Sequence, residues 1–271
     1  MAAVGGGVLA LAAGWEIDAT DRHRLLHRLG WEGSPDRQVA PAGTPVEEGS
    51  LSSGAMRRAV HWSISRPRPP IQGVIICLHG KGEDHRMAFD RLRIPDFVAA
   101  AGRSLAVAAV DGGDDSYWHP RVDGSDALSM LMGEFLPLVE RRLGPVPRAL
   151  LGWSMGGYGA LLVAERSPAM FRAVAAGSPA LWTEPGATAP GAFDSAEDYR
   201  RFDVFAGVDR LVGMPVRVDC GRGDPFYAAD RHFVAQLRGP HESAFGAGYH
   251  DDAFWRSAAP AQIAFLGRAL A

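Results

Sequence analysis

The hydrophobic and polar positions of this chain fall into alternating blocks. Val46 to Ser52 and Arg57 to Ser65 read as two strands, with a turn at Ser53-Gly54 between them. Short unbroken apolar runs follow at Val74 to Leu78 (VIICL), Leu105 to Val110 (LAVAAV), Ala149 to Gly152, Ala173 to Ala176 and Val216 to Cys220 (VRVDC). Runs of this length predict strands buried on both faces. Stretches of helical spacing lie between or after them, at Phe89 to Ala101, Asp126 to Leu143, Tyr158 to Glu165 and Asp230 to Leu237. In the second of these, Leu128, Leu131, Phe135, Leu138 and Val139 share one side. A short strand near Ser243 to Phe245 and a helix from Phe254 to Leu270 close the pattern. Strands alternating with helices predict an α/β fold, a mostly parallel central sheet with helices on both faces. Sites in such sheets lie beyond the carboxyl ends of the strands. That directs attention to the loops after Leu78, Val110, Gly152 and Cys220.

Residues 1–44 stand apart from this pattern. Met1 to Ala13 is small and apolar like the centre of a secretory signal, but no positive stretch precedes it. It is too short to span a bilayer. Two readings stand, a remnant of an export signal and an ordinary chain end, so localisation is open between the secreted or cell-envelope space and the cytoplasm. Asp18 to Leu29 reads as a short helix, and Gly33 to Thr44 as a linker. Residues 45–271 form the main domain. Within it, residues 182–205 break the alternation and read as a loop or small-helix insertion over the site.

Composition narrows the classes. The 271 residues are 47% hydrophobic, enough for one sizeable core. A net charge of -3 gives no electrostatic case for nucleic acid or an anionic membrane. Cys77 and Cys220 each sit at the end of an apolar run, which favours free buried thiols over a disulfide. No Cys/His cluster has metal-ligand spacing, so no metal or other cofactor is expected.

The chemistry concentrates around Gly152-Trp153-Ser154-Met155-Gly156, a G-x-S-x-G run between a strand and a helix. Such a turn strains the serine backbone and lifts its hydroxyl clear of the sheet, while a Cβ at the flanking glycines would crowd it. Serine needs a base, and the base needs an orienting acid, here in the chain order Ser, acid, His. Asp219 and Asp224 compete for the acid, and Asp224 on the loop beyond the strand is favoured. Asp219 reads as a strand-end hydrogen bond that shapes that loop. His250, before the last helix, is favoured over His241 as the base. Asp251 and Asp252 suit the start of that helix, where negative charge is favourable. An oxyanion needs two backbone donors. Met155 supplies one, and Lys81, the only lysine, supplies the other if Gly80 turns the chain toward the site. His79 reads as a loop-shaping residue. Trp118, Tyr117, Trp153, Trp182 and Phe226 are candidates for an apolar wall around a substrate.

Leu78-His79-Gly80, Gly152 to Leu161 (GWSMGGYGAL), Asp219 to Asp224 (DCGRGD) and Gly248-Tyr249-His250 together resemble the Putative esterase family of α/β-hydrolases. That family includes esterase D, feruloyl esterases and the antigen 85 mycolyltransferases. The likeness covers residues 45 to 270. Leu25 to Gly30 is similar to exported actinobacterial members. The resemblance implies an α/β-hydrolase fold and a serine esterase acting on small-molecule esters through an acyl-enzyme. It carries the triad onto Ser154, Asp224 and His250, and the oxyanion hole onto Met155 and Lys81. Two departures matter. Tyr158 stands where the esterase D signature has histidine, and Asp224 stands where antigen 85 proteins use glutamate. Acyl transfer to an alcohol is the alternative activity, and a silent binding protein on the same fold is the alternative from another class.

Overall fold

A computed structural model describes residues 33–271, together with Leu25 and Leu26, which are helical. The remainder of the expected Asp18 to Leu29 helix, and Met1 to Ala13, lie outside the described residues. Eight strands form one sheet: β1 (Val46–Ser53), β2 (Arg58–Ser65), β3 (Gly73–Leu78), β4 (Leu105–Val110), β5 (Arg148–Trp153), β6 (Val174–Gly177), β7 (Val216–Gly221) and β8 (His241–Gly246). Their order across the sheet is β1-β2-β4-β3-β5-β6-β7-β8. The β1–β2 and β2–β4 pairs are antiparallel, and β4 through β8 pair in parallel. This is the α/β-hydrolase architecture, matching the expected mostly parallel sheet.

The strands of the centre explain their own composition. Every residue of β3 and β4 is buried. Along β3, Val74, Ile76 and Leu78 face one core while Ile75 and Cys77 face the other. Side chains alternate across a strand, so a strand with a core on each face must be apolar throughout. On one face pack a helical stretch over residues 127–143 and α3 (Met155–Arg166). On the other pack α1 (Ile94–Ala100) and α7, the closing helix (Asp252–Ala269). We call the 127–143 stretch α2; α6 (Tyr227–Gln236) lies between β7 and β8. Cys77 and Cys220 are free and buried.

Two helices differ from the periodicity. The stretch expected from Phe89 to Ala101 divides into a π-turn at Met87–Arg91 and α1, with Arg93 left-handed between them (φ 55°). Pro95 falls in the first turn of α1, where its missing N–H costs nothing. The α2 stretch is π-wound at Leu131–Phe135, just ahead of Pro137. Proline removes one i→i−4 bond and crowds the carbonyl four residues back, and a widened turn relieves both.

The 182–205 segment carries a 3-10 turn at Pro185–Ala187, α4 (Ala196–Arg201) and the start of α5 (Val204–Gly207). It is pinned to the body. The buried His119 stacks between Phe193 and Phe202, with ring centroids at 5.1 Å and 4.7 Å. The Tyr158 hydroxyl donates to the Phe202 carbonyl at 2.7 Å, and within the segment the Tyr199 hydroxyl donates to the Trp182 carbonyl at 2.6 Å. Arg121 donates to Gly191 O, Ala192 O and the Asp194 carboxylate. Among the described residues, no helix is long and apolar enough to cross a membrane.

Candidate active site

Ser154 follows β5 with φ 55° and ψ −121°, a conformation that costs a non-glycine residue about 1–3 kcal/mol. The surroundings hold it there. A Cβ on Gly152 would strike the Gly156 carbonyl, and one on Gly156 would strike the carbonyls of Leu78 and His79. A Cβ on Gly159 would enter the Trp118 ring. The Ser154 N–H donates to Gly177 O at 3.0 Å, and its carbonyl accepts from Tyr158 N and Ala180 N. Helix α3 therefore begins at Met155, three residues earlier than its apolar spacing implied, because the glycines hid the first turn.

The structure brings Ser154, His250 and Asp224 together. His250 Nε2 lies 2.8 Å from Ser154 Oγ. His250 Nδ1 lies 2.8 Å from Asp224 Oδ2. Asp224 is fully buried on the loop after β7, and its Oδ1 accepts from Phe226 N at 2.9 Å. With Nδ1 facing the carboxylate, a ring that donates there leaves Nε2 to accept from the serine hydroxyl. Gly248, at φ 139°, lets the chain turn ahead of the histidine, where a Cβ would meet Phe254. Asp251 caps α7, accepting from Phe254 N at 2.8 Å.

The rival residues sit elsewhere. His241 opens β8, with its ring bonded to Gly239 O, at the end of the strand away from the site. Asp219 does not shape the loop after β7, as its place in the strand had implied. Arg217 grips its carboxylate at 2.7 and 2.9 Å, and Gln262 of α7 donates to it at 2.9 Å. It ties β7 to the closing helix. His79 is buried, and burial pushes its pKa down, so the ring is neutral. Its Nε2 accepts from Gly112 N on the loop after β4 and its Nδ1 faces Gly80 O on its own loop, so both nitrogens are used and the two loops are joined.

Met155 opens α3, and Lys81 follows Gly80 on the loop after β3. Among the described residues, neither amide donates to a protein acceptor. The left-handed turn of this loop falls on Gly82 (φ 72°), not on Gly80. Gly80 instead brings the loop close to the serine, and a Cβ there would lie 3.6 Å from Ser154 Cβ. The Lys81 ammonium reaches across to Pro190 O at 3.2 Å, linking this loop to the 182–205 segment.

A cleft of about 480 Å³ opens over Ser154 and His250, lined also by Lys81, Met87, Arg91 and Trp255. A larger depression of about 620 Å³ lies over Arg58, Asp111 and Arg121 and touches neither Ser154 nor His250. Of the five rings expected around a substrate, three are structural. Trp118 and Trp153 have no exposed surface, and Tyr117 is buried against Tyr158, Trp182 and Phe193. Trp118 fills the space over Gly112 and Gly159 and donates to His79 O at 3.3 Å. Phe226 meets the His250 ring edge-on at 5.3 Å, and Trp182 meets Phe226 at 5.4 Å. Neither lines the cleft. The aromatic residue that does is Trp255, edge-on to His250 at 5.1 Å. Its signal was its place five residues after His250, one turn into α7. Behind Asp224 lies a second buried carboxyl, Asp230, against Cys220. Burial and the Asp224 charge push Asp230 well above the usual carboxylate range.

The sequence matches the Esterase family, described as Putative esterase, over residues 53–256. No curated protein matches it. Among solved structures, a ferulic acid esterase superposes with TM-score 0.72 at 24% identity, covering 83% of this chain and 98% of its own. An S-formylglutathione hydrolase from Agrobacterium tumefaciens gives TM-score 0.70 at 16% identity, covering 88% of this chain and 100% of its own. Mycobacterium tuberculosis MPT51 (FbpC1) gives TM-score 0.69 at 19% identity, covering 84% of this chain and 100% of its own. At these identities the superpositions speak for the fold.

Proposed function

The chain belongs to the Putative esterase family and is a carboxylesterase-type hydrolase; from that premise we propose that it works through an acyl-enzyme on Ser154. The observation that carries this reading is the unbroken hydrogen-bond line from Ser154 Oγ through His250 to the buried Asp224.

As Oγ bonds to the ester carbonyl carbon, its proton passes to His250 Nε2. The carbonyl electron pair moves onto oxygen, where the Met155 and Lys81 amides stabilise it. Collapse breaks the bond to the leaving oxygen, which takes the proton from Nε2. Water then enters by the same path, with its proton going to Nε2 and returning to Ser154 as the acid departs. Asp224 keeps the ring in the tautomer this needs and stabilises the imidazolium between transfers. The substrate is a small-molecule ester with its carbonyl seated between Ser154 and the Lys81 amide.

Ser154→Ala tests the reading. It should keep the fold and lower hydrolysis of p-nitrophenyl acetate by several orders of magnitude, the scale of triad deletions. A wild-type rate in the alanine variant would remove Ser154 from the mechanism. An alcohol in place of water would turn the same acyl-enzyme into a transferase. Product analysis with glycerol or trehalose present separates the two outcomes.

A further inference from the structure

We propose that the segment Ser34–Asp36, upstream of the family-matched region, is a working part of the active site, and that Ser34 is a positioning residue for His250. This rests on the reading of His250 as the base. The sequence made Gly33 to Thr44 a linker, and it has no regular secondary structure. Yet it is strapped across the histidine loop. Ser34 Oγ accepts from Tyr249 N at 2.8 Å and donates to Asp251 Oδ2 at 2.8 Å. One hydroxyl thereby clips the residue before His250 to the residue after it.

The strap is anchored downstream of that clip. The Asp36 carboxylate takes a two-pronged bond from Arg256 at 2.8 and 2.9 Å. Arg256 lies in α7 and also donates to Arg91 O at 3.1 Å. Arg91 lines the cleft, grips Asp252 through two bonds of 2.8 Å and pairs with Glu83 on the loop that carries Lys81. Further along, Val39 packs against the α1/α7 core and Ala42 N donates to Asp96 at 2.7 Å. The strap is thus fixed to the domain body at one end and closes on the histidine loop at the other.

The loop needs such a clip. Gly248 gives it a permissive backbone, and His250 must hold two bonds of 2.8 Å at once. Reacting groups displaced by about an ångström can cost a hundredfold in rate. The hydroxyl restrains the Tyr249 backbone and the Asp251 side chain on either side of His250 without touching the imidazole, so it can fix the ring's position and leave substrate contacts alone.

The test is kinetic, on the full chain. Ser34→Ala should lower kcat about tenfold with KM within about twofold, and Ser34→Thr, which keeps the hydroxyl, should restore most of it. Asp36→Asn, which loosens the anchor but spares the clip, should give a smaller loss of the same kind. Melting temperatures measured alongside separate positioning from folding. A wild-type kcat in Ser34→Ala overturns the proposal, as does a loss that only follows the folded fraction. His250→Ala distinguishes the two readings. If it stays active, the triad reading fails; if it is dead while Ser34→Ala is normal, only this proposal fails.

Discussion

The two halves of the site are held in different ways. The Ser154 half is locked by backbone against backbone, because Gly152 and Gly156 press on carbonyls that cannot move without moving the sheet. The His250 half is held by side-chain hydrogen bonds from Asp224, Asp251 and Ser34. Packed backbone has one answer, and a mutation there breaks it or does nothing. Hydrogen bonds on a loop can be removed one at a time, so that half should lose function in steps. Ser154 is therefore the fixed reference of the site, and His250 is the adjustable part.

The largest effect belongs to the histidine half. Asp224→Asn should reduce kcat by about 10⁴ with a near wild-type melting temperature, since the imidazole loses its correct tautomer while the packing persists. A loss below tenfold would mean that Asp224 does not orient the ring.

The elbow half should fail through stability instead. Gly156→Ala should cost about 3 kcal/mol or more in urea unfolding, as other core overpacking does. Gly80→Ala, on the opposite side of the serine, meets only ordinary contacts at 3.6 Å and should stay within about 1 kcal/mol of wild type. Equal costs at the two glycines would contradict the backbone-lock account.

Glu165 sharpens the comparison at the far end of α3. Its carboxyl is buried against Gly207, and burial pushes its pKa up to about 8, although Arg166 and Arg210 pull the other way. The folded protein thus holds a proton that the unfolded chain releases near pH 4.5. Stability should be full below that point and decline as pH rises toward 8, by up to about 1.4 kcal/mol per pH unit. Glu165→Gln should flatten this slope in melting scans from pH 5 to 8. An unchanged slope would place the titration elsewhere.

The smallest effect is expected at Lys81. Its ammonium bonds Pro190 O at the cleft edge, near Glu83, Arg91, Asp251 and Asp252, so the local charge is mixed. Lys81→Ala keeps the backbone amide. It should change kcat/KM on neutral esters by less than about threefold, in line with one exposed polar contact. A hundredfold loss would show that the side chain, rather than the amide, does the chemistry.

What the sequence made legible follows the same division. The strands, the elbow and the order of Ser154, Asp224 and His250 could be read because each depends on a few neighbouring residues. The glycines that collide with backbone lie within the motif itself. Of the supports of the histidine half, Asp224 and the helix-capping Asp251 were readable and Ser34 was not. Ser34 sits 217 residues from Asp251, and nothing in its neighbours reports that contact. His119 and Glu165 likewise owe their roles to partners brought by the 182–205 segment or just after it. Aromatic residues near strand ends gave no facing direction either, so Trp118, Trp153 and Tyr117 turned out to be packing, and Trp255 was passed over.

The central claim is that Ser154 is the nucleophile. A fluorophosphonate probe, followed by peptide mass mapping, tests it most directly. One adduct should form, on the peptide carrying Ser154, absent from a folded Ser154→Ala variant and slowed by His250→Ala. An adduct on another residue, or labelling that persists in Ser154→Ala, would contradict it.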